Sequence, residues 1–333
     1  MSRVGERFAI FVLLASGIAS ALPRLLSAQD YRYTADHAKL IYGVSASAHE
    51  PTVLAFVSGE NEGEDVSGTP TIIDLQTLRE TALRKLETMA IDANVVWTND
   101  QRHVVFESLS GIFEVNLDEK AAMPKKLVSG QTHGLALSQS GSRMAYWNME
   151  GGAIDLIVRE VATSRTVRAW KLPFVYGGDA SGFEIAFIGD DAVYARTFDK
   201  MDATPLKRFD VQSGKSQTIV SDCFSLASSE NGLYFIANGG RSQMIDKLDG
   251  TSVILIANAQ HYLMMRSSGR KWIALKGSSG SALLDTGTGQ IINETKCDEV
   301  AVLAGDLMLY VKGNSLSTST AVCVAPRSGH AHK

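Results

Sequence analysis

The chain is poor in proline, in cysteine and in net charge: among 333 residues there are 7 Pro and 3 Cys, and the formal charge is −4. Basic and acidic residues are mixed, and there is no clustered basic face of the kind that indicates a nucleic-acid-binding protein. After residue 30, no apolar run approaches the ~20 residues of a membrane-spanning helix. The sequence also lacks a Gly-x-Ser-x-Gly nucleophile elbow and a phosphate-binding glycine loop. Glycine is plentiful, at 29 residues, which suits many tight turns between short strands.

The first thirty residues form a segment of a different kind. Arg3 and Arg7 precede an apolar or small stretch of 11 residues, Phe8–Ile18, and the A-x-A site Ala19-Ser20-Ala21 follows it. This pattern predicts a secretory signal peptide over residues 1–21, with cleavage as late as residue 28 as a variant. An uncleaved anchor is the alternative, but the apolar core is too short to span a bilayer. We therefore expect an exported protein, periplasmic or extracellular, without stable membrane insertion.

The three cysteines make an odd count, so they cannot all form disulfides within one chain. Export permits a disulfide, but the sequence alone does not give the pairing. Cys297 and Cys323 are the first pair to consider, because the repeat described below puts them in the same or neighbouring sheets. Buried free thiols are the favoured state for all three, Cys223 included, since cysteine is among the most buried residue types.

A short alternating strand recurs along the chain at a nearly constant interval. Its seven copies follow one another in steps of 50, 40, 49, 40, 39 and 35 residues, measured between equivalent apolar positions at Leu54, Val104, Met144, Val193, Leu233, Trp272 and Leu307. One strand-like segment precedes each copy, and one or two follow, with glycine in several of the connecting turns. An all-β period near forty residues is typical of a β-propeller.

These units predict an all-β fold, a seven-bladed β-propeller of four-stranded antiparallel blades. Such a sheet has two apolar faces and buries both only when it packs between two neighbours around a ring. We expect a single propeller domain over residues 30–326, followed by a flexible tail at 327–333. Because copies one and seven are the least regular, six or eight blades stay open as alternatives.

The last unit ends without a fourth strand. Its third strand is assigned to Thr320–Ala325, and the chain then runs out. The alternating segment Asp30–Ala35 is unused before the first unit, so we predict that it supplies the outer strand of the last blade and closes the ring. A frayed N-terminal arm is the alternative.

The segment Leu137–Arg168 resembles the WD40-like (TolB-type) propeller repeat, whose unit reads Leu-Ser-Pro-Asp-Gly-Lys-x-Ile-Ala-Tyr. Leu137-Ser138 and Gly141–Tyr146 match this pattern, whereas Gln and Ser stand in place of Pro-Asp. Trp97–Ser108 and Arg266–Leu275 match more weakly, and the other four units match only in spacing. The resemblance implies a propeller that binds a partner in an exported compartment, although a fold does not fix a function.

Ionisable residues recur where the chain enters the first strand of six units, which in a propeller is one mouth of the central channel. They are Asp92, His133, Glu184, Asp222, His261 and Asp298 with Glu299. Converging carboxylates and imidazoles can bind a cation or a sugar, or act as acid and base. A water-filled mouth also prefers polar residues without any such role. The two histidines lack the close spacing of a local metal motif, so we expect no metal site and no cofactor.

Two hypotheses of function follow. The leading one is an exported, non-enzymatic scaffold that holds a protein or peptide partner through loops on one face, with Asp92, Asp222, Asp298, Phe174 and Tyr176 as binding residues. The alternative is a small-molecule lyase or hydrolase at the channel mouth, with His133, His261 and Glu184 as catalytic residues. The sequence leaves the ligand and the oligomeric state open.

Overall fold

A computed structural model describes the chain in segments separated by short gaps. These segments are residues 31–35, 39–58, 67–83, 88–89, 94–108, 110–119, 123–149, 154–172, 183–197, 204–238, 243–249, 252–259, 261–268 and 271–324. The signal peptide and the C-terminal tail lie outside the described residues and stay predictions, as do the domain bounds drawn between them. Within the described segments, no helix has the length and apolarity needed to cross a membrane.

The protein is a seven-bladed β-propeller, and each blade is an antiparallel sheet of four strands in sequence order from the channel outward. In blade 1 a short fifth strand, β6, also pairs with β4. Blades 1 to 3 comprise β2 (Ile41–Ala46), β3 (Thr52–Ser58), β4 (Ser67–Asp74), β5 (Arg79–Ala82) and β6 (Thr88–Met89); β7 (Val95–Trp97), β8 (His103–Ser108), β9 (Gly111–Asn116) and β10 (Lys125–Ser129); β11 (Thr132–Leu137), β12 (Arg143–Asn148), β13 (Ile154–Glu160) and β14 (Thr166–Leu172).

Blades 4 to 7 repeat this arrangement, except that the last blade takes its outer strand, β1, from the N-terminal end of the chain. They comprise β15 (Ile185–Ile188), β16 (Ala192–Arg196), β17 (Leu206–Asp210) and β18 (Ser216–Val220); β19 (Cys223–Ser229), β20 (Gly232–Asn238), β21 (Gln243–Asp249) and β22 (Ser252–Asn258); β23 (Tyr262–Ser267), β24 (Trp272–Gly277), β25 (Gly280–Asp285) and β26 (Gln290–Thr295); β27 (Glu299–Val302), β28 (Met308–Lys312), β29 (Ser315–Ser317) and β1 (Arg32–Thr34). The predicted fold and the count of seven blades are confirmed.

The core lies in the seams between blades. The described residues form seven clusters of buried apolar side chains, and each cluster joins residues of two neighbouring blades. In β3, four consecutive residues from Val53 to Phe56 are fully buried, so both faces of this strand are covered. Successive side chains of a strand point to opposite faces of the sheet, so only a sheet that is packed on both faces can bury all of them. These side chains are therefore buried because each blade packs between two neighbouring blades of the closed ring.

The ring closes through the N-terminal strand, as the strand count predicts. Residues of β1 pair antiparallel with β29, with Tyr33 opposite Leu316. The backbone pairing continues one residue beyond these strands, where the N–H of Ala35 donates a hydrogen bond to the carbonyl of Asn314 at 2.9 Å. Tyr31 and Tyr33 are buried there, which makes β1 part of the core and not a frayed arm.

The third strand of blade 7 is the point at which the sequence prediction was wrong. This strand is Ser315–Ser317, whereas Thr320–Cys323 forms a 3-10 turn. A tight turn at Gly313, with φ of 58°, brings the chain back directly after β28, so the third strand begins earlier than the alternation suggested.

The 3-10 turn is attached to the blade by a disulfide. Cys323 within the turn is bonded to Cys297, which lies two residues before β27. The first pair considered is therefore confirmed, and the expectation of free thiols was wrong for these two residues because both pack into one small cluster beside blade 7. Cys223 is free and buried, as expected.

Candidate functional site: the two ends of the central channel

The first strands of the blades surround a channel that contains two adjoining cavities. One cavity, of about 640 Å³, lies where these strands end, and we call it the wide end. The other, of about 120 Å³, lies where they begin, and we call it the narrow end. Both cavities are lined by the same six residues at the middle of the channel, so they are continuous: Ser45, Val95, Val96, Leu135, Ile185 and Ser267.

The lining of the wide end combines apolar side chains from the first strands, such as Leu135, Ile185 and Phe187, with polar groups, and it is almost uncharged. Glu230 is the one ionisable side chain among its described lining residues. The other polar groups are hydroxyls and amides, which both donate and accept hydrogen bonds. They are Ser45, Asn99, Gln101, Ser138, Gln139, Ser228, Ser229, Ser267 and Ser268. This end therefore favours a ligand with many hydrogen-bonding groups and little net charge.

Hydrogen bonds between neighbouring blades fix the rim of the wide end. The side-chain amide of Asn99 in blade 2 donates to the carbonyl of Gln139 in blade 3 at 2.7 Å. The hydroxyl of Ser267 in blade 6 donates to the carbonyl of Ser228 in blade 5 at 2.6 Å. Polar groups held in this way lose little freedom when a ligand binds, which improves affinity.

The narrow end carries charges of both signs. Its lining includes two carboxylates and two cations, which are Glu184, Glu299, Arg266 and Lys276. Both carboxylates lie at the start of a first strand, Glu184 just before β15 and Glu299 as the first residue of β27. Each one accepts hydrogen bonds from the first strand of the next blade, and these contacts define their chemistry.

Glu184 crosses the seam between blades 4 and 5. One carboxylate oxygen accepts a hydrogen bond from the hydroxyl of Ser225, and the other lies 3.4 Å from a guanidinium nitrogen of Arg196. Burial of the carboxylate outweighs these contacts and raises the pKa of Glu184 to about 7. A group with this pKa exchanges its proton near neutral pH, which is what acid–base chemistry requires.

Glu299 crosses the seam between blades 7 and 1. Its two oxygens accept the backbone N–H groups of Gly43, at 3.2 Å, and Val44, at 3.1 Å, and the ammonium of Lys276 lies 3.0 Å away. Burial raises the pKa of Glu299, but the charges of Lys276 and Arg266 and the hydrogen bonds overcome that effect and hold the pKa below its ordinary value. Glu299 is therefore an ionised structural group at neutral pH.

Bulges in the first strands supply these backbone donors. Four ladders carry one extra residue on the first strand near the narrow end, in β2, β11, β19 and β23. A bulge frees an N–H from its own sheet and turns it away from the regular ladder. Gly43 adopts a φ of 59° at such a position, which a residue with a Cβ adopts only at a cost. The N–H of Met265, next to the bulge in β23, donates to Ser225 of the preceding blade at 2.9 Å.

The rings of the two predicted catalytic histidines pack against aromatic side chains. The ring of His133 stacks on Phe183 across the seam of blades 3 and 4, with centroids 5.3 Å apart, and burial lowers its pKa. The ring of His261 contacts Tyr262, with centroids 4.6 Å apart. Among the described lining residues of either cavity, neither histidine occurs. Their catalytic roles stay predictions.

The predicted binding carboxylates already accept hydrogen bonds from other residues of the chain. Asp222 accepts a hydrogen bond from the side-chain amide of Asn238 at 2.8 Å. Asp298 accepts from the ammonium of Lys312 at 2.7 Å and from the N–H of Gly313 at 2.9 Å. Asp92, Phe174 and Tyr176 lie outside the described residues. No group of three or more metal-ligating side chains occurs in the described part of the chain.

The sequence contains a signal for the wide end, although none of the predicted site residues that the structure describes lies there. A serine stands at or near the end of the first strand in four units, at Ser45, Ser138, Ser228 and Ser267. Each of these positions lines the wide end. A hydroxyl that recurs at the same position of a repeat indicates a ring of hydroxyl groups around the channel. This ring lies at the ends of the first strands, whereas the predicted ionisable site residues lie at their starts.

Comparison with known proteins supports the fold and nothing finer. No protein family model and no curated protein matches the chain. Among solved structures, it is similar to oligogalacturonate lyase from Vibrio parahaemolyticus, with 8% identity, a TM-score of 0.58, and coverage of 87% of this chain and 96% of that one. It is also similar to Pyrococcus horikoshii acylaminoacyl peptidase, with 11% identity, a TM-score of 0.59, and coverage of 84% and 51%.

A third similar structure is a propeller alone. The β-propeller domain of the Trilobed protease from Pyrococcus furiosus has 9% identity and a TM-score of 0.55, and the match covers 84% of this chain and 95% of that domain. At such identities the likeness shows a common fold only. The class defined by these observations is a seven-bladed propeller with a two-ended channel.

Proposed function

We propose that this protein is an exported, non-enzymatic binding module that receives a peptide segment of a partner protein in the wide end of its channel. The observation that carries the proposal is the cavity of about 640 Å³, lined by hydroxyl and amide groups together with apolar side chains. Ligand cavities range over roughly 300–1,000 Å³, so this one accommodates several residues of a peptide. The leader-like residues 1–21 support export, and the disulfide is compatible with it.

The chemistry of the wide end suits a peptide backbone. A peptide bond offers one donor and one acceptor, and the serine, asparagine and glutamine side chains of the lining can match either. Glu230 alone contributes a charge among the described lining residues, so ionic ligands gain little there. The inter-blade hydrogen bonds at Asn99 and Ser267 hold the rim in place before the ligand arrives.

Filling the wide end tests this proposal. Ser228 lines the cavity, and Ser228→Trp places an indole inside it. Ser216 is exposed on the outer strand β18, so Ser216→Trp is a matched control. Peptides selected on the unmodified protein from a displayed random library are then titrated against both variants. We expect Ser228→Trp to weaken binding at least ~10-fold and Ser216→Trp to leave it unchanged. Peptides that bind Ser228→Trp equally well, or a library that yields none, would refute the proposal.

A second candidate function is favoured by one observation at the narrow end. Glu184 has a pKa of about 7 and borders a cavity, which suits the acid–base step of a small-molecule lyase or hydrolase. A screen of neutral and acidic oligosaccharides and of simple esters tests it. Turnover lost in Glu184→Gln but kept in Glu80→Gln, a change at an exposed position on β5, would support the enzyme. Turnover equal in both variants would exclude Glu184 as its catalytic group.

A further inference from the structure

One outer strand of the propeller differs from the rest in its exposed apolar surface. In β22, the outer strand of blade 5, three consecutive large side chains are exposed: Val253 at 43%, Ile254 at 43% and Leu255 at 58%. Neighbouring side chains in a strand point to opposite faces. Exposure of all three therefore means that this strand presents apolar groups on both faces as well as an unpaired edge, with no described strand on its outer side.

The other outer strands carry features that discourage edge pairing. Five of them contain at least one charged residue, and these are β1, β5, β10, β14 and β26. The outer strand β18 is uncharged, but its two apolar residues, Ile219 and Val220, pack against the core of the seam. Charged residues on an edge strand oppose pairing with another chain, and their absence invites it. Only β22 combines a lack of charge with exposed apolar residues among the seven outer strands described.

We propose that β22 pairs antiparallel with β22 of a second copy of this chain, and that the pair forms a two-fold dimer with a continuous eight-stranded sheet. A partner that covers both faces of a strand and its edge at once must itself be a strand with apolar side chains on both faces. The exposed segment of β22 meets that description. An antiparallel pair of identical strands is related by a two-fold axis, which is the commonest symmetry of protein dimers.

The register follows from the exposed residues and from a bulge. The ladder between β21 and β22 is regular from Ser252 to Leu255 and skips a residue at Ile256. Centring the two-fold axis on Ile254 places Ile254 opposite its own counterpart on one face and Val253 opposite Leu255 on the other. Every directly opposed pair in this segment is then apolar, and no like charges meet. Apolar cross-strand pairs of this kind stabilise a sheet.

The dimer should be weak, because the contact is a single short strand. Such a pairing falls below the ~1,200 Å² of a standard interface, the size class of weak and transient complexes, so we expect a dissociation constant of about 10 µM. We therefore expect the mass of the unmodified protein in sedimentation equilibrium to rise from monomer to dimer over about 1–200 µM. A monomer throughout that range would overturn the proposal, whether or not β22 binds some other protein.

Charge placed on the strand identifies the interface. Ile254→Lys and, independently, Leu255→Lys should raise the dissociation constant at least ~10-fold. Thr218→Lys is the matched control, since Thr218 is exposed on the outer strand β18 of the neighbouring blade. Both positions on β22 are exposed, so the variants should keep the melting temperature of the parent. A dimer unaffected by the two β22 variants, or equally weakened by Thr218→Lys, would place the contact elsewhere and overturn the proposal.

Cross-linking reports the register. A cysteine at the axis meets its own counterpart within the ~4.4–6.8 Å between Cα atoms that a disulfide needs. Mild oxidation of Ile254→Cys should give a covalent dimer, whereas Ser252→Cys should not, because its opposite residue is Ile256. The native Cys223 is buried and the other two cysteines are already paired, so they do not interfere. Cross-linking that is equal at both positions would contradict the ordered pairing proposed.

Discussion

The two ends of the channel are built from the same first strands, yet they differ in charge and in what their polar groups contact. At the narrow end, Glu184 and Glu299 are buried and accept hydrogen bonds from the next blade. At the wide end the polar groups of the lining are hydroxyls and amides set among apolar side chains, and hydrogen bonds along the rim join neighbouring blades. The difference teaches that the charged groups fasten blades together, whereas the neutral end is the one with room for a ligand.

The two carboxylates of the narrow end differ from each other as well. Glu299 has Lys276 at 3.0 Å and the charge of Arg266 nearby, and its pKa lies below the ordinary value. Glu184 has Arg196 at 3.4 Å, and burial raises its pKa to about 7. Burial raises the pKa of both carboxylates, but the cations and backbone donors overcome it only at Glu299, so the number and the distance of these partners decide whether the charged form is stabilised.

The largest effect is expected from removing Glu299. In Glu299→Ala, the N–H groups of Gly43 and Val44 lose their acceptors and the seam between blades 7 and 1 loses its polar link. Unsatisfied buried groups cost about 1–3 kcal/mol each, so the free energy of unfolding should fall by about 3 kcal/mol in urea titrations at pH 7. Glu80→Ala, at an exposed position, should change it by less than about 0.5 kcal/mol.

The pH dependence of the stability lost in Glu299→Ala shows whether the charge of the carboxylate causes that loss. The folded pKa of Glu299 lies below its unfolded value, so its contribution is complete above the unfolded pKa and is lost as the pH falls through the folded one. The penalty of Glu299→Ala should therefore shrink in acid. A penalty that is the same at pH 3 and pH 7 would show that packing, not the charge, is what the variant removes.

Glu184 should produce the opposite dependence on pH. Its folded pKa of about 7 lies above the ordinary value of 4.5, so the unfolded chain releases this proton first as the pH rises. Stability should then decrease between about pH 4.5 and 7 and level off above, by up to about 3 kcal/mol. In Glu184→Gln this contribution is absent, so the variant should gain stability relative to the parent across that range. A difference that is flat or reversed would mean that Arg196 keeps Glu184 ionised.

Much of this architecture could be predicted from the sequence, because it depends on periodic burial. The forty-residue repeat, the seven blades and the closure by Tyr31–Ala35 all follow from where apolar residues recur and from a count of strands. Contacts at the narrow end could not be predicted in the same way. A bulge changes which side chains face the channel, and residue type does not mark all of them: the extra residue is Gly134 in β11 but Phe224 in β19 and Leu263 in β23. His133, beside the bulge in β11, has its ring in a seam.

Variants at the wide end should lose the least stability. Asn99→Ala removes the hydrogen bond to the carbonyl of Gln139, which lies at the exposed rim. Water can replace an exposed donor, so the free energy of unfolding should fall by only about 0.5–1 kcal/mol in urea titrations. Peptide affinity should fall more than stability does, since the rim loses its preset geometry. The control is Gln212→Ala, which removes an exposed hydrogen bond from the Gln212 side chain to Asp191 within blade 4. This variant should leave peptide affinity unchanged. A stability loss as large as that of Glu299→Ala would mean that both ends fasten blades equally, and the division of roles between them would be wrong.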